Sequence, residues 1–403
     1  MKGPFSIWGF FGLTIWIDTF THALYEVKGD KQKKIDPYNP VREVSVIIPA
    51  HKEGKHIEKT IRALYNERYP LKNIIVCSDK ESTFTKEVVE SLLTEYDTLY
   101  YLECPHVSKS KKINYAVKVL GDVLGEFVYV RDSKVTGNYD CIERMIPYFT
   151  DEKVAAVTSY GRLSVPKNFL SRSYYYGKSW INEIGRFRKN AQVKRQALFV
   201  VCGASTMYRR DVLKKIPIPY GTKTEDTHYT WKLQMNGYRV NVADDAVASA
   251  PELDGEGLNG IKNQIKQSYR WSAGTVQCIY REGRKLPKNK RLFYTTILPG
   301  FLEALSYSTP LILLPMLLIF YPFYAGAFLV GDTVFSLAGT VVLMPKKFWK
   351  TLLHYPQIFF FKYLNAAIFL YAFVKVTAEA VAGKTRNWHN EWTPLQTDYV
   401  LAK

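Results

Sequence analysis

Residues 44–61 read VSVIIPAHKEGKHIEKTI. Val44, Val46, Ile47 and Ile48 form a short apolar run with β-branched side chains, closed by Pro49. A polar loop follows through His51, Lys52, Glu53 and Gly54. Ile57, Ile61 and Leu64 then recur at helical spacing. A strand apolar on both faces, then a loop, then an amphipathic helix is the unit from which parallel sheets are built.

The same unit repeats downstream. Further strands are expected at 74–77, 98–102, 127–130 and 154–158, with helices at 56–65, 86–96, 111–120 and 140–149. This alternation predicts an α/β domain with a largely parallel sheet and functional groups at the strand C-terminal ends. Acidic residues stand at three of those ends: Glu53, Asp79 and Asp132. Each alone reads as a helix cap or a solvated loop residue. Together they converge on one edge, where a carboxylate can accept from a base or ribose hydroxyl and another can hold a divalent cation beside a diphosphate. Lys109, at the start of the 111–120 helix, adds a cation for phosphate.

The flanks have a different composition. The chain of 403 residues is 47% hydrophobic and carries 55 Lys and Arg against 37 Asp and Glu, a net charge of +18. That excludes a disordered chain and suits phosphate-bearing partners, lipid headgroups or nucleic acid. A mean hydropathy of −0.16 averages a polar middle with apolar ends. Residues 4–24 have the length of a spanning helix, and Lys28, Lys31, Lys33 and Lys34 follow at once. A signal peptide is the rival reading, opposed by an n-region carrying only Lys2 and by the lack of a small-residue cleavage site. Apolar stretches recur at 312–321, 323–344 and 359–376, preceded by the polybasic segment 281–291, an expected headgroup contact. Glu303 is expected to face a protein interior or aqueous path, or to lie just outside the bilayer. By the positive-inside rule, the middle faces the cytoplasm. Five dispersed cysteines without a C-x-x-C pair predict neither a zinc site nor a disulfide framework. The expected organisation is a transmembrane helix with a basic flank at 1–40, a catalytic domain at 41–283, and interfacial and transmembrane helices with a tail at 284–403.

Within the middle, the ordered motifs resemble those of membrane-integrated family 2 glycosyltransferases, the cellulose, poly-N-acetylglucosamine and hyaluronan synthases. VSVIIPAHKE resembles the family's P-A-x-N-E strand and loop, SKSKKINYA its G-K-x-x-A-L-N helix start, and YVRDSKV occupies its D-x-D slot. CGASTMYRRDVL resembles the segment that helps form the acceptor site. Thr224-Glu225-Asp226 matches T-E-D, and QSYRW matches Q-x-x-R-W. The resemblance covers about residues 41–283. It implies a GT-A, Rossmann-like nucleotide-sugar-binding fold and an inverting hexosyltransferase using a nucleotide-diphosphate sugar, expected to be a UDP-sugar. It further implies Asp226 as base with Glu225 orienting the site. Pro49, Glu53, Asp79, Lys109, Asp132 and Arg270 would meet the nucleotide sugar, and Cys202, Gly203, Gln267 and Trp271 the acceptor or product. Gln267, Arg270 and Trp271, at i, i+3 and i+4, share one helical face, where a guanidinium can fork a diphosphate and an indole can stack on a sugar.

Three departures stand out. Lys52 replaces the family's Asn, and His51 stands where an aromatic is common. The D-x-D slot reads Asp132-Ser133-Lys134, leaving Asp132 as the main expected ligand for Mg2+ or Mn2+, with Lys134 sharing the diphosphate charge. The leading expectation is processive, β-linked polysaccharide synthesis. The alternative is addition of one sugar to a membrane lipid, in the manner of ceramide glucosyltransferases. Nucleic-acid binding is not expected, because the basic residues cluster beside apolar segments and no nucleic-acid motif is present. The sequence leaves donor sugar, linkage, number of spans and oligomeric state open.

Overall fold

The computed structural model describes residues 34–54, 56–163, 169–250, 257–343 and 345–389. The expected N-terminal membrane helix at 4–24 therefore lies outside the described residues. Strands β1 (Val44–Ala50), β2 (Asn73–Asp79), β3 (Leu99–Cys104), β4 (Phe127–Arg131), β5 (Thr136–Gly137), β6 (Val154–Leu163), β7 (Ser205–Arg209) and β8 (Arg239–Ala250) form one eight-stranded sheet. Its order is β3-β2-β1-β4-β7-β6-β8-β5. The half from β3 to β4 is parallel. β7 pairs antiparallel with both β4 and β6, and β6 pairs parallel with β8. The sheet is thus mixed rather than largely parallel, because β7 enters at its centre in the opposite direction.

Helices α1 (His56–Tyr65), α2 (Thr83–Leu93) and α4 (Cys141–Met145) cover one face, and α3 (Lys109–Leu120), α6 (Arg210–Lys215) and α7 (Glu225–Met235) the other. The pleat sorts β1 between them: Val44, Val46 and Ile48 bury against Ile57, Ile61 and Leu64, while Ile47 buries against Ile113 and Val117. Two expected helices differ in extent. The one at 140–149 stops after Met145 and tightens into a 3₁₀ turn over Ile146–Tyr148, where Pro147 removes a backbone donor. α2 ends at Leu93, and Tyr96 beyond it stacks on Tyr65 with ring centroids 3.9 Å apart.

Long helices join this domain to the apolar part, α5 (Phe169–Lys194), α8 (Gly257–Glu282), α9 (Lys290–Phe320), α10 (Pro322–Leu343) and α12 (Tyr355–Val381), with a short α11 (Phe348–Leu353) before the last. Among the described residues, α9 and α12 are long and apolar enough to cross a membrane. They run antiparallel: Phe301 packs on Phe373, while the Ser308 hydroxyl donates to the Ala366 carbonyl at 3.1 Å. Exposed large apolar side chains gather here, including Ile319, Phe320, Phe323, Val330, Trp349 and Phe360. Glu303 faces protein and accepts from Arg188 of α5. Trp388 is buried against Ala273 and Val276 of α8 and Val376 of α12, on the side of the sheet domain.

Candidate functional site

The C-terminal edge of the parallel strands carries the site. β2, β1 and β4 are adjacent, so Asp79, Glu53 and Asp132 stand along one edge. The loop after β1 is sharply turned, with Lys52 at φ 52° and Gly54 at φ 56°. Asn tolerates this left-handed region, whereas Lys at the same position carries strain of order 1–2 kcal/mol. Side chains at the start of α2 hold the loop: Lys52 N donates to Oγ of the N-cap Ser82 at 2.9 Å and Glu53 N to Thr85 Oγ1 at 2.9 Å. Pro49 remains within β1, in register with Cys77.

Asp132 follows β4 and donates its N–H to the Ala204 carbonyl at 3.0 Å, which ties it to the start of β7. Lys109 Nζ then bridges two motifs, 2.5 Å from Asp132 Oδ1 and 2.7 Å from the Gly203 carbonyl. Burial works against its ammonium. Asp132, Glu225 and Asp226 together outweigh that and hold its pKa above the ordinary lysine value. Lys134 reaches Glu53 at 4.0 Å. Burial raises the Glu53 carboxyl, with Lys134 opposing and Asp132 adding. Behind Asp132, fully buried Arg131 donates to the Val135 carbonyl at 2.8 Å and lies 3.7 Å from Glu67. Burial pushes the Glu67 carboxyl up to about 7.

Glu225 and Asp226 open α7, where the helix dipole favours carboxylates. Thr227 N donates to Asp226 Oδ1 at 2.8 Å. Asp226 packs directly on Gly203: a Cβ there would lie 2.7 Å from Asp226 Oδ2. Gly203→Ala must therefore push the carboxylate aside. Since about 1 Å of misplacement can cost on the order of 10²-fold, the expected loss in kcat is of that size with nucleotide binding retained, checked by steady-state rates beside calorimetry. Burial raises the Glu225 carboxyl, Asp226 adds to this, and Lys109 and Arg270 pull it back. Arg270 Nε is buried without a hydrogen-bond partner among the described residues. Trp271, the next residue on α8, is 43% exposed, and Gln267 is half-buried one turn earlier. Gly274 of α8 admits Thr224 so closely that a Cβ would sit 2.5 Å from its Oγ1, which fixes α8 to the loop before α7.

The structure thus brings Lys109, Asp132, Gly203, Glu225, Asp226 and Arg270 together. Asp79 is engaged elsewhere: Oδ2 accepts from Lys112 at 2.6 Å and meets His51 Nδ1 at 2.7 Å, and Oδ1 accepts from Ser82 at 3.1 Å. Burial would raise the Asp79 carboxyl, but these partners hold it below its ordinary value. Cys202 is half-buried beside the site, with its N–H donating to Thr158 Oγ1 at 2.8 Å. Three lysines escape a motif reading. Lys112 occupies the family's Ala position and is 1% exposed. Lys178 and Lys189 lie on α5; Lys178 Nζ is 5.8 Å from the Trp271 ring centroid, and Lys189 is within electrostatic reach of Asp226 and Cys202. The signal for the α5 pair is their spacing of eleven residues, three helical turns.

Among the described residues, no group of three or more His, Cys, Asp or Glu side chains is placed to hold a metal. Asp132 is the carboxylate available at the D-x-D slot. One carboxylate would fit Mg2+ or Mn2+ with substrate phosphates supplying the remaining oxygens, at the oxygen that Lys109 holds here.

Comparison with known proteins gives the family and the fold. A poly-β-1,6-N-acetyl-D-glucosamine synthase of Staphylococcus aureus is 24% identical over 271 residues, 66% of this chain and 63% of that protein. The Staphylococcus epidermidis enzyme of the same name is 23% identical over 258 residues, 63% of this chain and 60% of that protein. The chain therefore spans less than two thirds of the length of these relatives. A mannosyltransferase from Pyrobaculum calidifontis, solved in complex with GDP-Man and Mn2+, superposes with a TM-score of 0.65 at 17% identity. That superposition covers 93% of this chain and 99% of that one, and it shows a shared glycosyltransferase fold. The profile of the family described as "Glycosyltransferase like family 2" matches residues 40–274, more than half of the chain, and the chain belongs to that family of transferase enzymes.

Proposed function

We propose that the protein is a membrane-embedded, inverting transferase that moves a sugar from a nucleoside-diphosphate donor, a UDP-sugar first among candidates, onto a growing polysaccharide in β-linkage. One observation carries this reading: Asp226, the candidate base, is seated on Gly203 beside the cations Lys109 and Arg270. Transfer needs a base for the acceptor hydroxyl and positive charge for the departing diphosphate, and this cleft offers both. The acceptor oxygen attacks the anomeric carbon and the bond to the diphosphate breaks. The hydroxyl proton goes to Asp226, and the bonding pair leaves with the nucleoside diphosphate. Glu225 orients the site. Pro49 and Glu53 frame the nucleoside, Asp79 holds the loop between them through His51, and Lys109, Lys134 and Arg270 meet the phosphates. Cys202, Gly203, Gln267 and Trp271 receive the acceptor.

Asp132 would hold Mg2+ or Mn2+. When bound, the ion neutralises charge on the diphosphate. EDTA is expected to abolish activity, and Asp132→Ala to lower it by about 10²-fold or more. Full activity in chelator together with a harmless Asp132→Ala would instead assign the diphosphate to the lysines alone.

The residue boundaries at 41–283 and 284–403 carry over as part of this proposal, as does a multi-pass cell-membrane protein with a cytoplasmic catalytic domain. The exposed apolar side chains of α9 to α12 support membrane embedding. The similarity to poly-N-acetylglucosamine synthases favours the polymer over a glycolipid product. The test is incubation of the protein in native-lipid membranes with a panel of UDP- and GDP-sugars, with products read by mass spectrometry. A ladder of sugar additions is expected. A product that stays at one sugar on lipid, at any donor concentration and time, would replace this reading with the glycolipid one.

A further inference from the structure

Helix α5 has three faces, and two are occupied by the rest of the protein. Toward the sheet, Glu183 accepts from Tyr160 at 3.1 Å, and Asn190 Nδ2 donates to Asp244 Oδ2 at 3.2 Å. Toward the apolar helices, Gly177 lies so close to α12 that a Cβ would meet Phe361 at 2.6 Å. On the same side, Trp180 Nε1 donates to Thr340 Oγ1 at 3.0 Å, and Arg188 pairs with Glu303. At about 100° per residue, positions 178, 182, 185 and 189 form a third stripe between these two. One end of it meets α8, where Lys178 Nζ donates to Gln264 Oε1 at 2.6 Å and lies 5.8 Å from the centroid of the Trp271 ring. The other end meets the candidate base, since Lys189 is within electrostatic reach of Asp226 and Cys202. Between them, a Cβ on Gly185 would touch nothing within 4 Å among the described residues.

We infer that this stripe, Lys178, Asn182, Gly185 and Lys189, is the floor of the acceptor groove, and that its occupant is an oligosaccharide end rather than an acyl chain. The inference rests on reading the cleft as a sugar-transfer site and names what lies on its acceptor side. Lys178 to Lys189 spans eleven residues, about 16 Å of helix, longer than a single sugar ring. Its two lysines are held by the protein, Lys178 by Gln264 and Lys189 beside Asp226 and Cys202, which leaves one amide and one bare glycine between them and an exposed indole at one end. Hydroxyl-rich rings can hydrogen-bond the Asn182 amide and stack on the aromatic end, whereas an acyl chain would cover the amide and offer it neither donor nor acceptor in return. Gly185 is where the ring of a passing sugar would come closest to the helix.

The test places a thiol at the glycine and enlarges it only after folding. Gly185→Cys protein in native-lipid membranes is treated with maleimides of increasing size, beside wild type treated identically. Two rates are read with the donor chosen by the sugar panel: nucleotide release without acceptor, and sugar transfer to β-linked glucose and N-acetylglucosamine oligosaccharides. The bulky adduct is expected to lower transfer about tenfold or more while nucleotide release stays within about twofold. The oligosaccharides are expected to slow labelling at position 185, and UDP alone is not. Transfer at the unlabelled rate, an equal fall of both rates, or labelling indifferent to oligosaccharide would each overturn the groove. Should no donor be turned over by wild type, the transferase reading of the cleft fails by itself, and protection of the thiol by oligosaccharide still decides whether the groove binds glycan.

Discussion

Asp226→Asn is expected to cut turnover by roughly 10²–10⁴-fold, the usual worth of a general base, with a further loss where position matters. The substitution is close to isosteric. The amide oxygen of the variant can keep the hydrogen bond that Asp226 Oδ1 accepts from Thr227 N at 2.8 Å, and the contact with Gly203 is preserved. What disappears is the ability to take a proton. Donor affinity by calorimetry should therefore stay within a few-fold of wild type while kcat collapses, the pattern of an interaction made in the transition state. Near-normal transfer by the purified variant would remove Asp226 from the mechanism and leave Glu225 as the nearest carboxylate.

The second large effect is expected at Arg270. Its Nε is buried without a hydrogen-bond partner among the described residues, and its charge bears on Glu225 in the cleft. A half-buried guanidinium with donor capacity to spare is suited to a developing phosphate charge. Arg270→Ala should lower kcat by about 10²–10³-fold, the range for removing one such stabilising group. Arg270→Lys should recover little of this, because a point charge cannot fork a diphosphate. Trp271→Ala, one residue on, should behave differently. The exposed indole belongs to the acceptor side, so its loss should shorten the product while the first transfer persists. Equal effects of Arg270→Ala and Trp271→Ala on product length and on first-transfer rate would merge the two roles.

Much of this cleft was legible because chemistry-bearing residues sit at predictable places. β1 and α1 follow from the periodicity of residues 44–61, and Glu53, Asp79 and Asp132 do fall along one edge of the sheet. Glu303 faces protein, one of the two placements open to an ionisable group there. Other features depend on tertiary partners. β7 is a short strand, STMYR, whose antiparallel placement beside β4 no local pattern announces. β8 carries Asp244 and Asp245 in its interior, and the register of β6 on β8 shifts after Ser159 to accommodate the irregularity. α5 is rich in polar and aromatic residues on every face because it touches the sheet, the apolar helices and α8. It therefore lacks the single apolar stripe that marks a surface helix. The engagement of Asp79 by Lys112 and His51 depends on a lysine at the family's alanine position, a difference that a motif match passes over.

The central claim is that a single carboxylate, Asp226, deprotonates the acceptor for direct displacement at the anomeric carbon. One displacement inverts configuration; a covalent sugar intermediate on the enzyme would require two and would retain it. The measurement is the anomeric coupling of the newly formed linkage, read by NMR on product made from an α-linked nucleotide sugar. The account predicts β-linkage in every added residue, and α-linkage would contradict it.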